Sequence, residues 1–136
     1  MCSRDIHLNS LRPKILINTI KTDMSIEEYF QNTVLRPIIK FQNDLLIAVF
    51  LQFCTKYKNV FFDLSTEKKI LYIESAIAKD SKLRNTFRNL LIGLFSVEEY
   101  SEYLKNASNL NKRMTGIVKE RLISNVQLMS EYSPTK

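Results

Sequence analysis

One apolar stretch, residues 37–57, limits the possible folds of this chain more than any other feature. It reads PIIKFQNDLLIAVFLQFCTKY, and nine of the ten residues from 45 to 54 are apolar. A surface helix shows one apolar stripe and one polar face. In a helical projection of this stretch, one side carries Phe41, Leu45, Ala48 and Gln52, and another carries Leu46, Phe50, Phe53 and Tyr57. We therefore predict a buried central helix that other helices cover on several sides.

Glycine and proline are scarce, with two glycines and three prolines in 136 residues. Sheet proteins of this size need many turns that contain these residues, whereas long helices need few. The length fits one domain with a sizeable core. We therefore predict an all-α fold, a single up-and-down bundle of four to five helices. It has a central, fully apolar helix and a long C-terminal helix.

Serine and acidic residues predict where the helices begin. Ser25 precedes Glu28 by three positions, and Ser96 precedes Glu99 by the same spacing, which is the pattern of a capping box. A carboxylate in the first turn also interacts favourably with the helix dipole. Helix capping therefore explains why the acidic pairs Glu27–Glu28 and Glu98–Glu99 occur at these positions. Further starts are predicted at Ser65 or Thr66 and at Asp80 with Ser81.

Other signals predict where helices break or end. Pro37 predicts a kink or short break at Leu35 and Arg36, because the residue before a proline is biased away from helical geometry. The central helix is predicted to end at residues 57–59. Apolar residues keep helical phase over residues 100–126, which predicts one last helix of about 30 residues. Asparagine and serine at residues 106–109 allow a kink in it.

Residues 1–23 show no sustained periodicity, and the patterns divide the chain into three segments. Residues 1–23 are predicted to be an N-terminal extension, either untranslated, with Met24 as the first residue, or flexible. The structural alternative is an arm that docks on the bundle through residues 15–20. Residues 24–130 form the predicted helical bundle domain, and residues 131–136 a frayed tail.

Charge and cysteine content favour a cytoplasmic protein. The formal net charge is +6, which is mildly basic and not polybasic. Cys2 and Cys54 do not form a disulfide framework, and Cys54 is predicted to be a small core residue. No secretory signal is recognisable, and the apolar run in the central helix is shorter than the roughly 20 residues that a bilayer needs. We predict no membrane partner.

His7 is the only histidine, which disfavours the common catalytic and metal sites. A zinc site needs two or more histidines or cysteines at helical or turn spacing, and a serine or cysteine hydrolase would have only His7 as its base. A di-iron bundle needs Glu-x-x-His pairs, and none is present. Gly93 and Gly116 stand apart, so no glycine-rich loop could hold a phosphate. The sequence therefore predicts no catalytic residue, no metal site and no cofactor.

Polar residues in the central helix form the first candidate site. A covered Asp44 would need a partner, and an arginine of the last helix could supply two parallel hydrogen bonds. The candidate buried polar network comprises Asn43, Asp44, Arg113 and Arg121. We expect a structural ion pair there, with a ligand or active-site role as the alternative.

Basic residues form the second candidate site. Lysines recur at steps of seven on the last helix, which keeps them nearly on one face. Such a face can follow phosphate groups, and binding through it would weaken with salt. The candidate basic face comprises Lys82, Arg84, Arg88, Lys105, Lys112 and Lys119.

Several short segments carry a resemblance to a known family. They are residues 35–38, 42–50, 58–61, 72–74, 98–100, 110–114 and 120–122, which read LRPI, QNDLLIAVF, KNVF, YIE, EEY, LNKRM and ERL. In these segments the chain resembles a family of short all-helical bacterial proteins that are often labelled glyoxalases. The label implies an enzyme of that activity. Metal-dependent glyoxalases look like βαβββ modules with histidine and glutamate ligands. This chain has neither that pattern nor those ligands, so no catalytic residue is assigned from the resemblance.

Three functional hypotheses follow. The first is a small non-catalytic interaction module, whose partner is itself or another protein. As a homo-oligomer it would pair through the last helix, where Tyr103, Leu110 and Met114 would serve two cores. The second is a binder of nucleic acid or of an acidic partner through the basic face. The third is an enzyme built on Asn43, Asp44 and an arginine.

Overall fold

Every regular element is helical in the part of the chain that the computed structural model describes, residues 2–12 and 24–130. The helices are α1 (Ser3–Leu11), α2 (Ile26–Phe30), α3 (Arg36–Lys56), α4 (Thr66–Lys79), α5 (Ser81–Ile92), α6 (Val97–Leu104), α7 (Ala107–Ser124) and α8 (Val126–Ser130). The predicted all-α class is confirmed. Within those ranges, none of the helices combines the length and hydropathy that crossing a bilayer requires. The predicted arm at residues 15–20 and the tail at 131–136 lie outside the described residues.

The predicted helix starts are confirmed, because an N-cap oxygen accepts a hydrogen bond from the backbone N–H three residues later. The pairs are Ser25 with Glu28 (3.1 Å), Ser65 with Lys68 (3.3 Å), Asp80 with Leu83 (2.9 Å) and Ser96 with Glu99 (3.1 Å). At Ser96 the capping box is reciprocal, since Glu99 Oε1 accepts from the Ser96 N–H at 2.8 Å. Each such cap stabilises its helix by about 1 kcal/mol.

The predicted break before Pro37 is absent, and a π-helical segment, Gln31–Leu35, joins α2 to α3 instead. The wider turn lies directly before Pro37, whose ring would clash with the preceding turn of a regular α-helix. The end of α3 is as predicted. Lys58 and Asn59 are left-handed, with φ of 63° and 60°, and the Asn59 N–H donates to the Cys54 carbonyl at 3.3 Å.

The prediction of one last helix of about 30 residues is wrong. A turn at Lys105 and Asn106 separates α6 from α7, and Asn125 separates α7 from α8. Asn106 begins α7, because its carbonyl accepts from the Leu110 N–H at 3.0 Å. The Asn106 side chain donates to Glu27 at 2.5 Å, and this tertiary contact fixes the turn. The polar residues of the sequence predicted only that a kink was possible there.

The chain divides into two compact units. Of the described residues, unit 1 holds those up to Gln42 together with Arg88–Met114. Its aromatic core joins Phe30 to Phe95, with ring centroids 5.5 Å apart, and Phe95 to Tyr103, at 5.7 Å. The other buried apolar residues of unit 1 are Leu8, Val34, Leu35, Ile38, Ile39, Leu91, Leu110 and Met114.

Unit 2 holds Asn43–Phe87 together with the described residues from Thr115 onward. Phe61, in the 3₁₀ turn Val60–Asp63, is fully buried against Phe50 and Tyr72, with ring centroids 5.4 and 5.3 Å away. Phe61 is thus part of the aromatic core of unit 2. Cys54 is also fully buried, as predicted.

We predicted that other helices cover α3 on several sides, and one of those sides is open. Phe41 and Leu45 are each 44% exposed, and Ala48 and Gln52 are exposed as well. The opposite side is buried, since Leu46 and Phe50 have no exposed surface. The apolar composition of the helix predicted its central role but not which of its sides the other helices would reach.

Candidate functional site

An open groove of about 1300 Å³ lies in unit 1. Residues from α1, α2, the π-helical segment, the start of α6 and the start of α7 line it. Its apolar lining residues are Ile26, Tyr29, Phe30, Val34, Val97 and Leu110. Ile26 is 79% exposed, Val97 61% and Tyr29 53%. The groove therefore presents a set of large apolar side chains to solvent.

Helix α1 forms one wall of the groove, and Asp5 anchors it. Asp5 is only 6% exposed. Its Oδ2 accepts from the Val97 N–H at 3.1 Å, and its Oδ1 accepts from Arg4 Nη1 at 3.1 Å. The first N–H groups of a helix lack partners within it, so the carboxylate satisfies one of those of α6. A charge at this helix end is also favourable to the helix dipole.

Two arginines of the N-terminal segment hold the turn between α5 and α6. Arg4 donates to the Gly93 and Phe95 carbonyls, at 2.7 Å each. Arg12 donates twice to Glu99, at 2.6 and 3.0 Å. These bonds join residues 87 to 91 positions apart. Residues 3–11 showed no periodic pattern in the sequence. They nevertheless form a helix that makes specific contacts with the rest of unit 1.

Glu27, in the first turn of α2, contacts the turn before α7. Its Oε1 accepts from Asn106 Nδ2 at 2.5 Å. A hydrogen bond from its own backbone N–H, and then that from Asn106, hold the pKa of this carboxyl below its ordinary value of 4.5. Glu27 is therefore negatively charged at neutral pH.

Carboxylates dominate the charged lining of the groove. They are Asp5, Glu27, Glu98, Glu99 and Glu102, against Lys105. Asp5 and Glu99 already have arginine partners. Lys105 pairs with Glu102 at 2.9 Å, but both side chains are more than half exposed. Glu27, Glu98 and the exposed Glu102 thus give the groove an acidic lining, although the chain carries a net charge of +6.

The sequence pointed to part of this lining only. The sequence predicts that Glu27, Glu98 and Glu99 lie in the first turns of helices. The caps at Ser25 and Ser96 confirm these helix starts. The groove also depends on Asp5 of α1 and on Arg12, the residue after α1, which contact residues about 90 positions away. No local pattern encodes such a contact, so sequence reasoning missed both residues.

The candidate buried polar network is located as follows. Asp44 is exposed, which corrects its predicted burial, and it accepts from Asn43 Nδ2 at 3.3 Å. It lies on the open side of α3, which the described helices leave uncovered. Arg113 donates to Gln31 Oε1 at 3.0 Å. Arg121 is half-buried, and its carbonyl oxygen accepts a hydrogen bond from Asn125 Nδ2 at 2.7 Å.

The candidate basic face is divided between the two units. Lys82, Arg84 and Lys119 belong to unit 2, and Arg88, Lys105 and Lys112 to unit 1. Arg84 donates to the Ile77 and Ala78 carbonyls at 2.8 Å each, so it caps the end of α4. Lys82 and Lys112 are exposed, and Lys119 and Arg88 are half-buried. Arg84 and Lys105 thus have structural partners within the chain.

The last helix does not offer the predicted surface for a second copy. Tyr103 is 7% exposed, Leu110 2% and Met114 not at all, and all three belong to unit 1. Tyr103 also donates its hydroxyl to Asn111 Oδ1 at 2.6 Å. These three side chains are buried in the core of unit 1 and are not exposed to a second copy.

Comparison of the chain with models of protein families, with curated proteins and with solved structures gives no match. The resemblance to the family labelled glyoxalases therefore stays a prediction. Within residues 2–12 and 24–130, no group of three or more histidine, cysteine, aspartate or glutamate side chains could hold a metal ion.

Proposed function

We propose that the protein is a non-catalytic interaction module whose groove in unit 1 binds a positively charged, amphipathic helical segment of a partner protein. The observation that carries the proposal is an apolar surface rimmed by carboxylates. Ile26, Tyr29 and Val97 are more than half exposed in the same groove as Glu27, Glu98 and Glu102. Scattered apolar residues on a protein surface are ordinary, but a lined groove of this kind marks an interaction site.

The size of the groove favours a protein segment over a small molecule. Pockets for small ligands measure about 300–1,000 Å³ and enclose most of the ligand. This groove has about 1300 Å³ and is open to solvent along Ile26 and Val97. An amphipathic helix can lay several apolar side chains into such a groove at once.

The two kinds of lining would contribute differently to binding. Burial of apolar surface is worth about 25 cal/mol per Å², so the apolar lining supplies most of the affinity. Each pair between an exposed carboxylate and a lysine adds only about 0.2–1 kcal/mol and weakens with salt. The carboxylates therefore select for a basic partner and speed its association.

Fluorescence anisotropy with a labelled, 18-residue amphipathic helix of leucine and lysine tests the proposal. The double variant Glu98→Lys/Glu102→Lys should bind about tenfold more weakly at low salt, and the loss should shrink in high salt. Ile26→Ser should weaken binding at either salt concentration. Glu74→Lys, an equally exposed reversal on α4 in unit 2, is the matched control and should bind like the wild type.

Two results would overturn the proposal. One is no binding of the leucine–lysine peptide by the folded wild-type chain. The other is binding that appears only after Ile15 and Ile17 are changed to Asp, because residues 13–23 of the chain itself would then be the occupant. A scrambled peptide of the same composition, which lacks the apolar face, separates docking from general charge attraction.

A further inference from the structure

One side of α3 carries an exposed stripe that the described residues of unit 2 leave uncovered. We call Asp44, Leu45, Ala48, Gln52 and Lys56 the α3 stripe. All five residues are exposed, and all five belong to unit 2. Leu45 is 44% exposed although it lies in the most apolar stretch of the sequence. The stripe is apolar or uncharged in the middle and charged at its two ends.

The charges at the ends of the α3 stripe are opposite. Asp44 and Lys56 are separated by twelve residues, which is about 18 Å along a helix. A parallel pair of such helices would set carboxylate against carboxylate and ammonium against ammonium. An antiparallel pair would set Asp44 of each copy against Lys56 of the other. The antiparallel arrangement also opposes the two helix dipoles favourably.

We propose that two copies of the chain pair antiparallel through the α3 stripe, as a homodimer with its twofold axis at the level of residue 50. In that register Ala48 of one copy faces Gln52 of the other. A small residue at this place lets helix axes approach to about 8–10 Å. The symmetry is closed, since the same patch is used on both copies.

The same register gives Leu45 a place to be buried. Leu45 of the second copy lies between the levels of Gln52 and Lys56. A groove of about 530 Å³ opens at that level between α3 and α5 of unit 2. Its lining residues are Ala48, Val49, Gln52, Phe53, Lys56, Tyr57, Asp80, Lys82, Leu83 and Thr86. Apolar residues of that lining would cover the Leu45 side chain.

The dimer is a weak one. One pair of helices of this length buries less than the roughly 1,200–2,000 Å² of a stable protein interface. We therefore expect a dissociation constant of about 10–100 µM, which corresponds to reversible association.

Sedimentation equilibrium of the full chain, from about 5 to about 500 µM, tests the dimer. The average mass should rise from 16.0 kDa toward twice that value. Asp44→Lys and Lys56→Asp should each raise the dissociation constant about tenfold, because two attractive pairs become two repulsive ones. The double variant Asp44→Lys/Lys56→Asp restores opposite charges and should dimerise like the wild type.

The controls distinguish pairing from loss of fold. Glu74→Lys, on α4 of the same unit, should not change the association, and circular dichroism should report full helicity for every variant. A mass of 16.0 kDa at all concentrations would overturn the proposal. So would a double variant that associates as weakly as the single ones, since the pairing between Asp44 and Lys56 would then be wrong.

Discussion

Arg12 and Glu99 form a two-point ion pair in unit 1, with Nη1 2.6 Å from Oε1 and Nη2 3.0 Å from Oε2. The side chains are 10% and 23% exposed. The same Glu99 oxygen that meets Arg12 accepts from the Ser96 N–H in the capping box. One carboxylate thus begins α6 and fastens the segment after α1 to it. The wall of the candidate groove depends on this pair.

We predict a measurable coupling between Arg12 and Glu99. In a double-mutant cycle of Arg12→Ala and Glu99→Gln, the coupling free energy should be about 1–2 kcal/mol, because paired charges with little exposure hold strong hydrogen bonds. Urea unfolding followed by circular dichroism measures each corner of the cycle.

The pair of Lys105 and Glu102 supplies the control for that cycle. Its 2.9 Å distance is comparable, but the side chains are 70% and 52% exposed. Water and salt screen such a pair, so its coupling should stay below about 0.5 kcal/mol. Equal coupling in both cycles would contradict the role assigned to Arg12.

A second prediction contrasts two aspartates. Asp5→Ala should lower the free energy of unfolding by about 1–3 kcal/mol, because it leaves the Val97 N–H without its acceptor and Arg4 without its carboxylate partner. Asp44→Ala should change it by less than about 0.5 kcal/mol, since Asp44 is exposed. Both are measured by urea unfolding below about 5 µM, where we expect monomers. A strong effect of Asp44→Ala alone would support the buried network that the sequence predicted.

Local signals in the sequence predicted local structure well. Ser25, Ser65 and Ser96 begin helices because a cap needs only a side-chain oxygen and the N–H three residues on. The end of α3 at Lys56 followed from the polar residues after it. Such features depend on neighbours in sequence, so one chain suffices to predict them.

Contacts between distant residues were not predictable in the same way. The residues near Asp5 in the sequence do not indicate that its partner is Val97. The residues near Asp44 do not indicate that its side of α3 is exposed. Composition fixes how apolar a helix is, whereas its neighbours decide which sides are covered. The acidic groove was missed for this reason, since α1 supplies one of its walls.

A third prediction concerns the left-handed residue Lys58, with φ of 63°. A residue with a Cβ is strained in this region, and glycine is not. Lys58→Gly should therefore raise the free energy of unfolding by about 0.5–1 kcal/mol. Glu74→Gly, inside the regular helix α4, should lower it by a similar amount. Denaturant unfolding of the two variants would contradict the assignment if both were destabilised.

A fourth prediction concerns the two thiols. Cys2 is exposed and Cys54 is buried, and burial raises the pKa of the Cys54 thiol to about 12. At pH 8, iodoacetamide should add once to the folded chain and twice to the chain in guanidinium, as read by intact mass. Two rapid additions to the folded chain would contradict the burial of Cys54.

The raised pKa of Cys54 also sets a pH dependence. The folded thiol keeps its proton up to about 12, whereas the unfolded thiol loses it near its ordinary value of 9.0. The stability that this group contributes is therefore present below pH 9 and is lost as the pH rises toward 12. Urea unfolding at several alkaline pH values should show a shallower loss for Cys54→Ala than for the wild type.

The most direct test of the proposed function is a ¹⁵N–¹H NMR titration of the full chain with the leucine–lysine peptide. The account predicts that the amide signals of Ile26, Tyr29, Val97 and Glu98 shift together and saturate, since these residues line the groove. Signals of Lys82 and Thr86 in unit 2 should stay in place. Shifts centred on unit 2, or no saturable shift at all, would contradict the account.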